Sequence, residues 1–138
     1  MYTNESEIEA VVSGFEDCTT GKAGFRHADH LTVAAWYLLN GSHASAIEKM
    51  RAGLLRFIDH HGVDPQKYHE TLTVFWVELT AQTLRQCESL ESLVDKCNFV
   101  VQGLGDKNIC LQFYSPELLA TTKAREVFVQ PDLKPLAG

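Results

Sequence analysis

Apolar residues recur every three to four positions through the first two thirds of the chain. In the first such stretch, Ile8, Val11, Val12 and Phe15 have the spacing of one face of an α-helix. The same spacing returns in three further stretches. Together these stretches predict four main helices, over residues 5–16, 26–39, 45–60 and 65–86.

Residues that favour helix ends flank these stretches, so that capping and periodicity agree. The candidate caps are Asn4 with Glu7, Ser45 with Glu48, and Asp64 with Pro65. In the last pair, Asp is expected to cap the fourth helix and Pro to occupy its first position. The Gly-containing segment 19–24 is expected to form a loop.

The last third of the chain is less regular. Apolar spacing predicts a fifth helix over residues 90–101, and short helices are expected after Ser115 and over residues 124–128. Two prolines make residues 131–135 an extended tail. Alternating runs typical of strands are lacking in the sequence. We therefore expect one all-α domain over residues 1–138, an up-and-down bundle of four main helices with a helical C-terminal elaboration and an extended tail.

Composition narrows the class of protein. The chain has 138 residues, of which 45% are apolar, and 18 acidic against 12 basic residues give a net charge of −6. The apolar fraction is that of a globular protein rather than a disordered one. The acidic balance argues against nucleic acid as a partner. Apolar runs near the roughly 18 residues of a membrane span are missing, so we expect no membrane partner. A homo-oligomer and a small-molecule partner both remain open.

The N-terminal residues are polar and acidic, which is not the pattern of a secretory signal peptide. A cytoplasmic location is therefore expected. In a reducing compartment the cysteines would be free thiols. They are Cys18, Cys87, Cys97 and Cys110.

Histidines mark the candidate site. His27 and His30 are three residues apart at the start of the second helix, and therefore share a face. His69 lies near the start of the fourth helix. In an up-and-down bundle the second and fourth helices are parallel, so these starts meet at one end, where the first helix ends with Glu16. We expect His27, His30, His69 and Glu16 to bind one divalent metal ion, with zinc, iron, nickel and copper equally compatible.

Three further side chains could support such a site. Glu70 is the alternative carboxylate ligand. Asp29 points away from the face that carries His27 and His30, and is a candidate for orienting a ligand through a hydrogen bond. Tyr68 is a candidate for positioning a bound molecule or donating a proton.

Two functions remain open at this point. The protein could be a metal-binding protein or a small metal-dependent enzyme, with a metal-bound water or substrate at the open position. Alternatively, it could be a non-catalytic helical module for a small molecule or a protein partner, with its histidines in a buried hydrogen-bond network. The zinc protease motif H-E-x-x-H fails, because Thr73 stands where the second His is needed.

Segments 26–31 and 68–73 carry the motifs H-x-D-H-L and Y-H-E-T. With Phe15–Glu16, residues 114–117 and residues 129–133, they resemble a widespread family of small bacterial helical proteins that has no settled activity. The resemblance spans most of the chain. It implies a helical fold and a special role for His27, His30, His69 and Glu70, and it implies no substrate or reaction.

Overall fold

The computed structural model describes residues 1–19 and 25–136, and in these residues the chain forms helices and no strands. The α-helices are α1 (Glu5–Glu16), α2 (His27–Leu39), α3 (His43–His60), α4 (Glu70–Gln86), α5 (Leu93–Gly103), α6 (Pro116–Leu119) and α7 (Thr122–Glu126). Two 3-10 turns cover Pro65–Lys67 and Lys107–Gln112. The all-α prediction is confirmed. Most of the predicted loop at 19–24 lies outside the described residues. None of the described helices is long and apolar enough to cross a membrane.

Helix α2 lies at the centre of the fold. Residues 31–35 and Tyr37 are all buried, so this part of the helix is covered around its whole circumference. It packs against α1, α3, α4 and α5. These four also contact one another in a ring, in the order α1, α3, α4, α5 and back to α1. The predicted four-helix up-and-down arrangement is therefore not confirmed, because α5 joins the packing and α2 occupies the middle.

Opposite sides of α2 contribute to two apolar clusters. Leu31 and Ala35 pack in a cluster with Phe75 of α4 and with Tyr114. Val33, Ala34 and Tyr37 pack in the other, which is built around Phe15 of α1 and Phe57 of α3. A helix that packs into two apolar clusters at once needs buried side chains in successive positions. Residues 31–35 of α2 meet this requirement.

Local capping chemistry decides where the helices begin. The box of Asn4 and Glu7 at α1 is confirmed. The predicted box of Ser45 and Glu48 is wrong, because α3 begins at His43 and Ser42 is its cap. The Ser42 hydroxyl accepts from the backbone N–H of Ser45 at 3.0 Å. Glu48 instead pairs with Arg51 on the outside of α3.

The start of α4 also differs from the prediction. Asp64 and Pro65 begin a 3-10 turn that ends at Lys67, and Tyr68 and His69 then run extended. The α-helix starts only at Glu70, with His69 as its cap. His69 is therefore not in the first turn of a long helix, and its side chain serves the backbone.

The C-terminal segments are held against α4. The buried hydroxyl of Thr71 donates to the carbonyl of Val127 at 2.9 Å and accepts from the N–H of Val129 at 3.2 Å. The Tyr114 hydroxyl also donates to the carbonyl of Val129, at 2.7 Å. Residues 131–135 are non-helical, as expected, and Asp132 accepts two hydrogen bonds from Ser115.

The cysteines are free, as predicted, and all four are buried. Burial raises the pKa of Cys97 to about 11, and the nearby Cys87 adds to this effect. Such a thiol stays protonated at neutral pH and behaves as a small apolar side chain.

Close packing against the ring of Phe15 requires a glycine at position 53 of α3. An added Cβ would lie 2.5 Å from Cζ of Phe15, which is itself fully buried and stacked on Phe25. We expect Gly53→Ala to lower the free energy of unfolding by about 1–2 kcal/mol, because overpacking outweighs the gain in helix propensity.

Gly103 is the matched control for this substitution. It is also helical, and a Cβ added to it would have no atom of the described chain within 4 Å. Gly103→Ala should raise the free energy of unfolding by about 0.4–1 kcal/mol. Urea denaturation of both variants checks the pair, and equal effects of one sign would contradict the packing argument.

Candidate functional site

A cleft of about 480 Å³ opens between α2, α3 and the start of α4. Most of its lining surface is apolar. Half of the lining residues are apolar or aromatic, namely Phe25, Leu54, Phe57, Ile58, Val63, Leu72 and Trp76. Its polar lining comes from His27, His30, Lys67, Tyr68, His69, Thr73 and Lys107. The structure thus brings the three predicted histidines to one cleft, as expected from the ends of the helices that carry them.

His69 is occupied on both sides of its ring. Nδ1 accepts the N–H of Leu72 at 3.2 Å, which caps α4. Nε2 faces the carbonyl of Leu119 at 2.8 Å, and must carry the proton because a carbonyl only accepts. The ring is therefore the neutral Nε2–H form, and it ties α4 to α6.

His27 is occupied on one side. Its Nε2 donates to the carbonyl of Leu104 at 2.8 Å, which links α2 to the end of α5. The ring lies edge-on to Trp76, with 4.5 Å between ring centroids. With the proton on Nε2, Nδ1 is an acceptor, and no partner for it is found among residues 1–19 and 25–136.

His30 is the one of these three histidines with both ring nitrogens unpaired in the described chain. Its ring packs on Phe25, with centroids 4.4 Å apart, and it makes no hydrogen bond within the described part of the chain. Burial lowers the pKa of His30 to about 4, and the charge of His27 acts in the same direction. At neutral pH the ring is therefore uncharged, with one donor and one acceptor.

Glu16 and Asp29 make other contacts. Glu16 is exposed, accepts from the Tyr37 hydroxyl at 2.7 Å, and is not among the described residues that line the cleft. Asp29 caps α2 by accepting from the N–H of Arg26 at 3.1 Å. This contact lies at the start of α2, and a role of Asp29 in orienting a ligand stays a prediction.

Glu70 belongs to an ion pair beside the cleft. Its two carboxylate oxygens accept from Nε of Arg51 at 2.9 Å and from Nη2 at 2.5 Å. Tyr68 donates to the same carboxylate at 2.6 Å. Burial would raise the pKa of Glu70, but the hydrogen bonds from Arg51 and Tyr68 and the charge of Arg51 lower it overall. Burial and the contact with Glu70 raise the pKa of Tyr68 to about 12, so its phenol keeps its proton.

These contacts bear on the predicted metal site. In the residues that the structure describes, no group of three or more His, Cys, Asp or Glu side chains is arranged to hold a metal ion. The physical reason is that His69 uses both ring nitrogens and Glu16 binds Tyr37. The metal site stays a prediction, and the side chains present do not form its four-ligand set.

Sequence reasoning missed Phe25, Phe57 and the two lysines of this site. The spacing of Phe57 is that of any buried face, whereas the position of Trp76 is compatible with helix core and with the wall of a small pocket. Lys67 and Lys107 lie in 3-10 turns far apart in sequence, and neither has a local pattern that marks it. Only the packing of α4 and α5 on α2 brings them to one cleft.

His69→Ala should lower the free energy of unfolding by about 2–3 kcal/mol. It removes a helix cap, worth about 1 kcal/mol, and leaves the Leu119 carbonyl without its donor, at about 1–3 kcal/mol. His69→Asn should recover roughly the capping part, because Asn also caps well. The exposed His60 is the matched control, and His60→Ala should change stability by less than about 0.5 kcal/mol. Urea denaturation decides, and a His69→Ala variant as stable as the parent would refute the structural role.

Comparisons with known proteins give no information on function. The chain matches no family model, no curated protein and no solved structure. The resemblance to the bacterial family with the H-x-D-H-L and Y-H-E-T motifs therefore stays a prediction.

Proposed function

We propose that this protein binds a small, largely apolar molecule in the cleft between α2, α3 and α4. The observation that carries the proposal is the combination of an apolar, aromatic lining with the unpaired imidazole of His30. Ligand sites in proteins are concave and mostly apolar, with a few placed polar groups. A volume of about 480 Å³ lies within the range usual for such sites.

Aromatic side chains form part of the lining. Phe25 and Phe57 pack on each other with 5.6 Å between ring centroids, and Trp76 packs on the ring of His27. Phe57 and Trp76 are each 9% exposed, and the exposed parts of these rings can meet a flat apolar group. An aromatic or similarly flat ligand would therefore gain more from this wall than a flexible chain of equal size.

The polar groups supply orientation. His30 is half-buried, and its ring nitrogens are not among the buried unpaired side-chain atoms of the described residues. Its ring is uncharged at neutral pH and has no partner in the described chain, so a ligand can exchange hydrogen bonds with it in place of water. His69, with both nitrogens occupied, acts as part of the wall.

A larger cleft of about 650 Å³ lies beside α6 and α7, and it is less suited to this role. About half of its lining surface is polar, including Gln66, Arg125 and Glu126, whereas the lining of the first cleft is mostly apolar. Arg125 already donates to the carbonyl of Gln66 at 2.8 Å. Such a surface is better matched to water than to an apolar molecule.

Titration with N-phenylnaphthylamine, an uncharged dye that fluoresces in apolar sites, tests the proposal. We expect saturable binding by the parent protein. Ile58→Trp should weaken it about tenfold, because Ile58 lines the cleft and the larger side chain fills it.

Leu55→Trp is the matched control, since Leu55 is exposed on the same helix and does not line the cleft. It should leave the affinity unchanged. Thermal melts of both variants establish that they fold. Absent binding by the parent, or equal binding by the two variants, would overturn the proposal.

Metal binding is the second candidate function. It is favoured by Nδ1 of His27 and by His30, which project from neighbouring turns of α2 into the same cleft. Two imidazoles leave the other positions to water or a ligand. Metal analysis of protein purified without a His tag tests it, with His30→Ala expected to remove any bound metal, and a metal-free parent protein refuting it.

A further inference from the structure

We propose that the ligand of this cleft is a small aromatic carboxylate, an inference that rests on the proposed function and specifies its substrate class. The lining includes Lys67 and Lys107, whereas no Asp or Glu is found among the described lining residues. Both charged residues of the lining are therefore basic, although the whole chain carries a net charge of −6.

The two lysines are free to act on a ligand. Neither belongs to an ion pair formed within residues 1–19 and 25–136. The acidic residues nearest to them in sequence are engaged with backbone. Asp64 accepts from the N–H of Gln66 at 3.0 Å, and Asp106 accepts from the N–H of Asn108 at 2.9 Å.

The carboxylate of Glu70 beside the cleft is paired with Arg51 and Tyr68. Arg51 also pairs with Glu48, and none of the three charged groups Glu48, Arg51 and Glu70 lines the cleft. The net charge presented by the lining side chains at neutral pH is therefore positive. Lys67 and Lys107 are both exposed, so an anion placed there would be attracted to them as in a surface ion pair, which salt screens.

The polar and apolar parts of the lining together define one kind of molecule. A flat ring would lie against Phe25, Phe57 and Trp76, and a carboxylate would face the lysines. A carboxylate also accepts the hydrogen bond that the uncharged ring of His30 can donate. An uncharged aromatic molecule would contact the aromatic rings but would form no ion pair with the lysines.

The test compares cinnamate with cinnamamide, which share one aromatic skeleton and differ in charge. Each is titrated against protein loaded with N-phenylnaphthylamine, and displacement of the dye is measured. We expect cinnamate to bind about tenfold more tightly at low salt, since each exposed ion pair contributes about two- to fivefold. The preference should shrink in high salt, because ions screen exposed charges.

Substitution of the two lysines tests whether they cause the preference for cinnamate over cinnamamide. Lys67→Gln and Lys107→Gln should each reduce the preference for cinnamate, and the double variant should abolish it while dye binding is retained. Lys96→Gln on α5 is the matched control, because it removes the same charge from a residue that does not line the cleft. Lys96→Gln should keep the full preference.

The outcomes separate the two proposals. If the dye binds but cinnamamide and cinnamate displace it with equal affinity, or neither displaces it, the proposal of a carboxylate ligand is wrong. The proposal that the cleft binds a small molecule would still hold. The proposal of a carboxylate ligand is also wrong if the double lysine variant keeps the same preference for cinnamate as Lys96→Gln. If the parent protein does not bind the dye at all, the proposed function itself falls.

Discussion

Arg51→Met is expected to lower the free energy of unfolding by about 3 kcal/mol at neutral pH. Arg51 donates two hydrogen bonds to Glu70, whose side chain is only 11% exposed. Methionine keeps much of the packing volume but leaves the carboxylate with Tyr68 as its remaining side-chain donor. Removing one partner of a buried ion pair is costly because the other charge stays buried without compensation. Urea denaturation at pH 7 measures the loss.

Glu48→Gln is the control for this variant. Glu48 also contacts Arg51, but its side chain is 74% exposed, so its loss should cost less than about 1 kcal/mol.

The pH dependence of stability provides a second check on the role of Arg51. The pKa of Glu70 is lowered in the folded protein, so its contribution is present above pH 4.5 and is lost as pH falls through the folded value. The gap between parent and Arg51→Met should narrow below pH 4.5, and a gap that is constant with pH would contradict this account.

Mild acid should destabilise the protein through His30, by up to about 3 kcal/mol between pH 6.5 and pH 4. The pKa of His30 is lowered from 6.5 to about 4, mainly by burial and further by the charge of His27. The unfolded chain therefore binds a proton at this residue in a range where the folded chain does not. The stabilising contribution is complete above pH 6.5 and declines as the pH falls towards 4.

His30→Gln removes this titration while keeping a polar side chain of similar size. Its free energy of unfolding should lose the part of the acid dependence that lies between pH 6.5 and pH 4. NMR titration of the ring protons of His30 in the parent protein gives the pKa directly. An ordinary pKa near 6.5, or an unchanged acid profile in the variant, would refute the assignment. The window lies above that of Glu70, so the two effects are separable in one pH series.

The ion pair and the cleft are connected through one short segment. Tyr68 binds Glu70 and lines the cleft, Lys67 precedes it, and His69 caps α4. Arg51 on α3 thus helps to position the residues that close one side of the cleft. We expect the Arg51→Met variant to weaken dye binding as well as stability, whereas Gly103→Ala should affect stability alone.

The positions of the helices could be predicted from the sequence because the signals are local. Periodic apolar residues and the Asn4–Glu7 box place α1 at Glu5–Glu16, and the structure agrees. The spacing of His27 and His30 places both on one face, and both line the cleft. Errors occurred where two local signals competed. Ser42 outcompeted Ser45 as a cap, and the Asp64–Pro65 start produced a 3-10 turn in place of the first turn of α4.

The site itself was only half predictable, and tertiary structure decided the rest. Its three histidines could be proposed from their helical positions, but their roles depend on partners 77 and 50 residues away, the carbonyls of Leu104 and Leu119. Those contacts exist because α2 is the central helix, which brings α5 and the C-terminal segments against the cleft. Periodicity reports which face of a helix is apolar, and it does not report which segment covers that face. The sequence by itself therefore determined the helices and the candidate histidines, whereas packing placed these histidines in one cleft with Lys67 and Lys107. In the described part of the chain, that packing does not bring three His, Cys, Asp or Glu side chains together as a metal-binding group.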